Sequence, residues 1–222
     1  MVHIEIPDGV LPLWLVALGF AILIPLLSLS TRKLEKGSDK ARTLPIMAAL
    51  SAIMLVVMSL ELGFTHVNLS VLSGIILGPY PAIIAVFVTN VMLSLVGHGG
   101  ITVIGLNTLL VSTEAVLGFF IYKRMLGTAR PSVNAGVATV IAMMTSALLL
   151  VGIGALSNVE LGEFLGEHDE NGRTRIPLKE FAVTVLTIAI LGTAIESVIV
   201  GSTVGYLAAV RPDVLAGGAE RW

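Results

Sequence analysis

A free amine and an imidazole only a few residues apart can grip a single metal ion, and this chain carries His3 directly behind Met1 and Val2. If Met1 is retained, Met1-Val2-His3 offers an amine, two amide nitrogens that can lose their protons, and an imidazole. That set closes a square-planar nitrogen ring system. If Met1 is removed, the amine, one amide nitrogen and the imidazole supply three ligands and leave the fourth position open. Square-planar nitrogen coordination suits Ni(II) or Cu(II), and imidazole suits Ni, Cu and Zn generally. The chain has no cysteine, so a softer metal must be held by nitrogen, carboxylate or thioether. The competing reading is a solvated terminal histidine.

Three further positions could contribute. His66, in "ELGFTHVNLSVLSGIILGP", follows an acidic residue and Gly63 and precedes Asn68. It could complete the shell begun by His3, or simply close a helix end. His98, in "GHGGITVIGLNTLL", lies between glycines; an outer partner that orients a ligand, or a turn residue, ranks above a direct ligand there. Asn107, in the same stretch, sits in an apolar run and needs a hydrogen-bond partner, so it could brace the site. Glu114 and Glu196 are single carboxylates within apolar runs. Such groups face a bundle interior or a cavity, where they could balance a cation or pair with polar neighbours such as Thr113 or Ser197. Met47, Met54 and Met58 recur at helical spacing and read as packing residues. "HDENG" at 168–172 resembles part of a calcium loop without its full spacing and reads as a solvated loop. The sequence contains no phosphate loop, no nucleophile elbow and no HExxH.

The elements that must position these groups are membrane helices. The 222 residues are 55% hydrophobic and only 13% charged, against roughly 25% charged in soluble chains. The net charge of -2 gives no reason to expect nucleic acid as a partner. No Lys or Arg precedes the first apolar run, unlike a signal peptide, so that run is expected to stay in the mature chain. Apolar runs and breakers predict an all-α integral membrane protein with about seven spans, in one membrane domain over 1–222. The spans are 11–29, 44–62, 69–78, 80–96, 101–122, 133–156 and 181–210, the third and fourth being separated by "GPYP". Arg32, Lys33, Lys36, Lys40, Arg42, Lys123, Arg124, Arg130, Arg211 and Arg221 fall on one side of this topology, and Arg173, Arg175 and Lys179 on the other. The positive-inside rule therefore puts the amino terminus outside and the carboxyl terminus in the cytoplasm. His3, His66, His98 and His168 then all lie at outward-facing ends.

Taken in order, "IPDGVLPLW", "HVNLSVLSGIILGPYPA", "HGGITVIGLN" and "ESVIVGSTVGYLAAVRPDVL" resemble the CbiM/NikM family over nearly the whole chain. These are the substrate-binding (S) components of energy-coupling factor transporters for cobalt and nickel. The resemblance implies seven membrane helices in the cell membrane and Co(II) or Ni(II) as the transported substrate, with no organic cofactor. It also implies a metal held by the terminal amine, the backbone nitrogen and imidazole of a His at position two, and a second imidazole. The second imidazole carries over to His66 and the supporting "HGG" histidine to His98. The expected partners are a transmembrane coupling (T) subunit, two ATPase subunits that do the hydrolysis, and a small accessory membrane subunit not fused here. Ala48 and Ala52 would let a partner helix approach closely.

The amino terminus departs from the family pattern. There the His lies four residues before the Gly of the "DG" or "EG" pair, whereas His3 lies six before Gly9. Two registers follow. Loss of Met1 would make His3 the second residue, with a two-residue bulge before Pro7. Otherwise Met1-Val2-His3 forms its own chelate, or Glu5, which aligns with the family's His, contributes an oxygen. The first is favoured. The rival functions are a proton-coupled secondary metal transporter working through Glu114 and Glu196, an intramembrane metalloenzyme, and an S component for a vitamin. The sequence does not choose between cobalt and nickel.

Overall fold

The structure is a computed structural model and describes residues 6–37, 40–60, 67–157 and 177–215. The described residues form seven helices: α1 (Leu13–Lys36), α2 (Lys40–Met58), α3 (Ser70–Leu77), α4 (Pro79–Leu95), α5 (Ile104–Met125), α6 (Pro131–Ser157) and α7 (Leu178–Val210). Five of them, α1, α2, α5, α6 and α7, are long and apolar enough to cross a bilayer. Their outer faces carry exposed apolar side chains such as Ile22, Ile24, Leu191 and Val198, and Trp14 stands exposed near the start of α1. An apolar surface of this kind is stable only against lipid. The protein is a multi-pass membrane protein.

The third apolar run forms only a short helix. The eight residues of α3 rise about 12 Å at 1.5 Å each, well short of the roughly 30 Å hydrocarbon core. All eight are buried, so α3 is a half-length core helix wrapped by protein on every side. Gly78 ends it with φ 83°, and Pro79 starts α4 in a new direction. α4 has 17 residues, about 26 Å.

The polar stretch read as a connector after the first run is also largely helical, since α1 continues to Lys36 and α2 begins at Lys40. Hydropathy reports where the chain leaves hydrocarbon. It does not report where helical hydrogen bonding stops, and Lys33 and Lys36 in the last turn favour continuation by facing the carbonyl end of the helix.

Close crossings bring the helices to the site. A Cβ on Gly74 of α3 would lie 2.0 Å from the carbonyl oxygen of Ala115 in α5, so only glycine allows these backbones to meet as they do. A Cβ on Gly105 at the head of α5 would lie 2.9 Å from the backbone of Gly19 in α1. Met54 and Met58 are buried in the main apolar cluster and Met47 packs against it.

The two ends of the bundle differ. Lys33 Nζ lies 5.7 Å from the centroid of the Tyr80 ring, joining the end of α1 to the start of α4. Arg42 Nη2 donates to Asp213 Oδ2 at 2.6 Å, joining the start of α2 to the chain just beyond α7. The amino-terminal segment and His98 lie at the opposite end, where α1 and α5 begin and α4 finishes.

Candidate metal centre

Met1, Val2, His3, Glu5, His66 and His168 lie outside the described residues. The structure describes the scaffold on either side of them. Among the described residues, no three His, Asp or Glu side chains converge as a metal-binding group.

The amino-terminal segment is anchored from Ile6 onward. Asn107, in the first turn of α5 and 4% exposed, reads the backbone of Ile6 with both ends of its amide. The Ile6 N–H donates to Asn107 Oδ1 at 3.0 Å, and Asn107 Nδ2 donates to the Ile6 carbonyl at 3.0 Å. The same carbonyl accepts the Gly100 N–H at 3.2 Å. Two residues on, the Asp8 carboxylate accepts the N–H groups of Ile101 at 2.9 Å and Thr102 at 2.7 Å, and the Thr102 hydroxyl. The Thr102 hydroxyl above all, then the backbone bonds, hold the Asp8 carboxyl below its ordinary range against the opposing effect of desolvation. Ile6, Val10 and Leu11 are buried against Leu106, Leu110 and Phe181. Burying a side chain such as Ile6 contributes about 1.5–3 kcal/mol.

The "HGG" turn makes that docking possible. A Cβ on Gly100 would lie 2.6 Å from both the backbone nitrogen and Oδ1 of Asp8, so this position must be bare. His98 stands half-buried in the turn, its N–H donating to the Leu93 carbonyl at 2.9 Å. It lines a cavity of about 10 Å³ with Asn90, Ser94, Gly100 and Asn107. The structure thus brings His98 and Asn107 together and supplies Asn107 with its partner, the Ile6 backbone.

The second anchor lies next to His66. Asn68 and Leu69 lead into α3, and Leu69 holds φ 57°, the left-handed region. Glu196 of α7, fully buried, accepts the Asn68 N–H on Oε2 at 3.1 Å and the Leu69 N–H on Oε1 at 3.0 Å. Glu114 of α5 accepts on Oε2 from Asn68 Nδ2 at 2.6 Å and from the Ser70 hydroxyl at 2.7 Å. Asn68 Oδ1 accepts the Ser70 N–H at 2.8 Å, closing an Asx turn. These partners differ from the neighbours expected in sequence. Thr113 and Ser197 donate instead to the carbonyls of Leu109 and Ala194 in their own helices. Side-chain partners four or fewer residues away are taken up by the local helix, so a buried carboxylate finds its donors across the bundle.

Both anchors open onto one space. A cavity of about 40 Å³ is lined by Asn68, Asn107, Glu114, Ser146 and Thr193, with apolar residues between them. At about 10–15 Å³ for a water, it has room for about three or four. The Thr193 hydroxyl is buried there without a protein partner. Asn68, Ser70, Asp8 and Thr102 were not singled out as site residues in the sequence. Asn68 and Ser70 carried one usable signal, an Asn two residues before a Ser at the start of an apolar run, which is an Asx-turn pattern.

Over residues 5–214 the sequence matches the CbiM family, the cobalt uptake substrate-specific transmembrane region. The chain belongs to the CbiM family. A curated relative, the fused nickel transport protein NikMN of Rhodobacter capsulatus, is 29% identical over 228 residues. The match covers 96% of this chain and 64% of that protein, so this CbiM-family chain spans somewhat under two thirds of the relative's length. Two solved structures share the fold. A truncated transition metal transporter has a TM-score of 0.78 at 24% identity, over 92% of this chain and 98% of the other. A transition metal transporter has a TM-score of 0.79 at 24% identity, over 93% of each chain.

Proposed function

We propose that this CbiM-family chain is the metal-capture S component of an energy-coupling factor importer for Co(II) or Ni(II). It holds the ion between its amino-terminal segment and His66. Ligands come from the terminal amine, a backbone nitrogen and imidazole of His3, and the His66 imidazole. His98 and Asn107 support the site, and Glu5 is the alternative donor. ATP hydrolysis belongs to two separate ATPase subunits, coupled through a T subunit, with a small accessory membrane subunit as a further partner. The amino terminus faces outward. Ala48 and Ala52, both exposed on α2, are available to a partner helix.

The observation that carries this reading is that Asn107 and Asn68 line the same buried cavity. Asn107 holds Ile6, three residues from His3. Asn68 lies two residues from His66. Along α5, the level of Asn107 and the level of Glu114, which holds Asn68, are separated by seven residues, about 10 Å at the helical rise. At about 3.3–3.6 Å per extended residue, His3 has a tether of roughly 10 Å and His66 one of roughly 7 Å. Together these exceed the gap, so the two tethers are long enough to let one ion join both imidazoles.

The anchors also bear on the register. Ile6 and Asp8 are both fixed, leaving the residues ahead of Ile6 as the place for two additional ones. Removal of Met1 then gives the Val2 amine, the His3 amide nitrogen and the His3 imidazole, with His66 in the fourth square-planar position. Proton-coupled transport through Glu114 and Glu196 is less favoured, because both oxygens of Glu196 accept backbone N–H groups.

The test is Co(II) and Ni(II) binding to the purified protein, with the intact mass of the amino terminus read on the same sample. Tight one-to-one binding, abolished by His66→Ala and by one residue added ahead of the terminus, is expected. The mass then says whether Met1 or Val2 supplies the amine. A folded protein that binds neither ion would sink the reading.

A further inference from the structure

The functional reading gives no role to the two carboxylates inside the bundle. We propose that Glu196 and Glu114 are positioning residues for the metal site: they hold the 68–70 corner in one shape and so fix the place and aim of the His66 imidazole. This rests on the function proposed above.

The argument starts from what the corner would do without them. Leu69 sits at φ 57°, a region that residues with a Cβ visit rarely and hold only when the surroundings over-determine it. The N–H groups of Asn68, Leu69 and Ser70 point away from α3 and have no helical acceptor. Glu196 takes the first two, one on each oxygen, and the Asn68 side chain takes the third. Glu114 then fixes that side chain through its Nδ2 and grips the Ser70 hydroxyl as well. The Asn68 and Leu69 N–H groups and the Asn68 and Ser70 side chains are thereby tied to buried groups on α5 or α7. His66 precedes this clamp by two residues in the sequence.

The alternative is that the carboxylates only cap a short helix. A single Ser or Asn does that elsewhere without placing two charge-capable groups in the bundle. The elements involved also point beyond capping. α7 packs chiefly on α6 and touches α3 only slightly, so Glu196 is the principal tie from α7 to the start of α3.

The two glutamates use their oxygens differently, and this makes the proposal testable. Glu196 spends one oxygen on each N–H, so Glu196→Gln turns one acceptor into a donor facing a donor. Glu114 takes Asn68 and Ser70 on the single oxygen Oε2 and is also reached by the Ser146 hydroxyl, so Glu114→Gln can keep the Asn68 and Ser70 bonds on its carbonyl. The experiment uses the full chain in nanodiscs. It reads the melting temperature without metal, amide exchange at Asn68 and Leu69, Ni(II) affinity by competition, and the visible absorption of the Ni(II) or Cu(II) complex.

The expected result for Glu196→Gln is a folded protein whose Asn68 and Leu69 amides exchange at least tenfold faster. Its Ni(II) affinity should fall at least tenfold and its absorption band should shift, while Glu114→Gln, which can keep its bonds to Asn68 and Ser70, should lose less than Glu196→Gln. If Glu196→Gln does not fold, Glu196→Asp is read instead; it keeps both acceptors on a shorter arm and should show a smaller loss with the same band shift. Faster exchange with unchanged affinity and band would overturn the proposal, because the clamp would then be structural only. Equal losses in both Gln variants would overturn it too, since they would mark a counter-charge and not a positioning pair. Failure of the unsubstituted protein to bind either ion sinks the proposed function, and this proposal with it, before any variant is read, so the two failures are told apart.

Discussion

Asn107 gives the sharpest test of how the amino-terminal segment is held. Substitution by Leu keeps the approximate volume and removes both polar ends of the amide; substitution by Ala removes them and opens space as well. The Ile6 carbonyl keeps the Gly100 N–H as a donor, so its loss is one ordinary buried hydrogen bond, about 1 kcal/mol. The Ile6 N–H loses its Asn107 acceptor, and a buried donor left unsatisfied costs about 1–3 kcal/mol. Docking of the segment is therefore weakened by roughly 2–4 kcal/mol. At 1.4 kcal/mol per tenfold, the upper bound on lost metal affinity is several hundredfold.

Asp8 and the burial of Ile6 still hold part of the population in place. Apparent affinity falls only with the docked fraction, so about 10- to 100-fold is expected. The assay is a Ni(II) competition titration of both variants, paired with the rate at which an aminopeptidase attacks the segment. Asn107→Leu and Asn107→Ala should lose affinity alike and become more readily digested. Wild-type affinity in Asn107→Leu would refute the reasoning. A loss confined to Asn107→Ala would assign the effect to the space it opens.

Three other outcomes follow from the same geometry. Gly74→Ala sets a Cβ 2.0 Å from the Ala115 carbonyl and should cost at least about 2–3 kcal/mol as overpacking between backbones, seen as a clear fall in melting temperature. Gly100→Ala drives a Cβ into Asp8; metal binding should weaken and the segment become digestible, while the melting temperature of the bundle changes little. For pH, the Asp8 carboxyl sits below its ordinary value of 3.8 when folded. Its contribution is therefore complete above that value and lost as pH falls through the lower folded value. Histidine ligands must be deprotonated, and imidazole titrates near about 6.5. Acidification should release metal near or below pH 6 while the segment resists digestion until below about pH 4. A single transition for both would refute the separation.

The helical class and the apolar runs were legible in the sequence because the bilayer imposes a length on each segment, and hydropathy reads that length directly. Hydropathy does not by itself tell burial by protein from burial by lipid. α3 is as apolar as a span, and only the wrapping by its neighbours distinguishes a half-length core helix from a short crossing. His98 and Asn107 share one Gly-rich stretch of sequence, and the turn brings them to one cavity. The Glu196 contact to Asn68 joins positions 128 residues apart. Nothing local in "AIESV" announces it, because a carboxylate's need for donors says that a partner exists without saying where.

The half-length of α3 explains why those carboxylates are needed. A chain that leaves helical geometry inside a membrane bundle frees backbone N–H groups there, and exposed to hydrocarbon these cost several kcal/mol each. Irregular backbone survives at that depth only where protein supplies acceptors. Here the acceptors come from α5 and α7, about ten residues into one helix and eighteen into the other, which is why a glutamate sits deep in each of these apolar runs. Substituting both by Leu, sensible for a lipid-facing position, should therefore destabilise the protein more than either Gln change. The corner would lose its acceptors for Asn68 N–H, Leu69 N–H, Asn68 Nδ2 and the Ser70 hydroxyl at once. A double-Leu variant with an unchanged melting temperature would show that the corner finds acceptors elsewhere, and that the glutamates sit in the bundle for another reason.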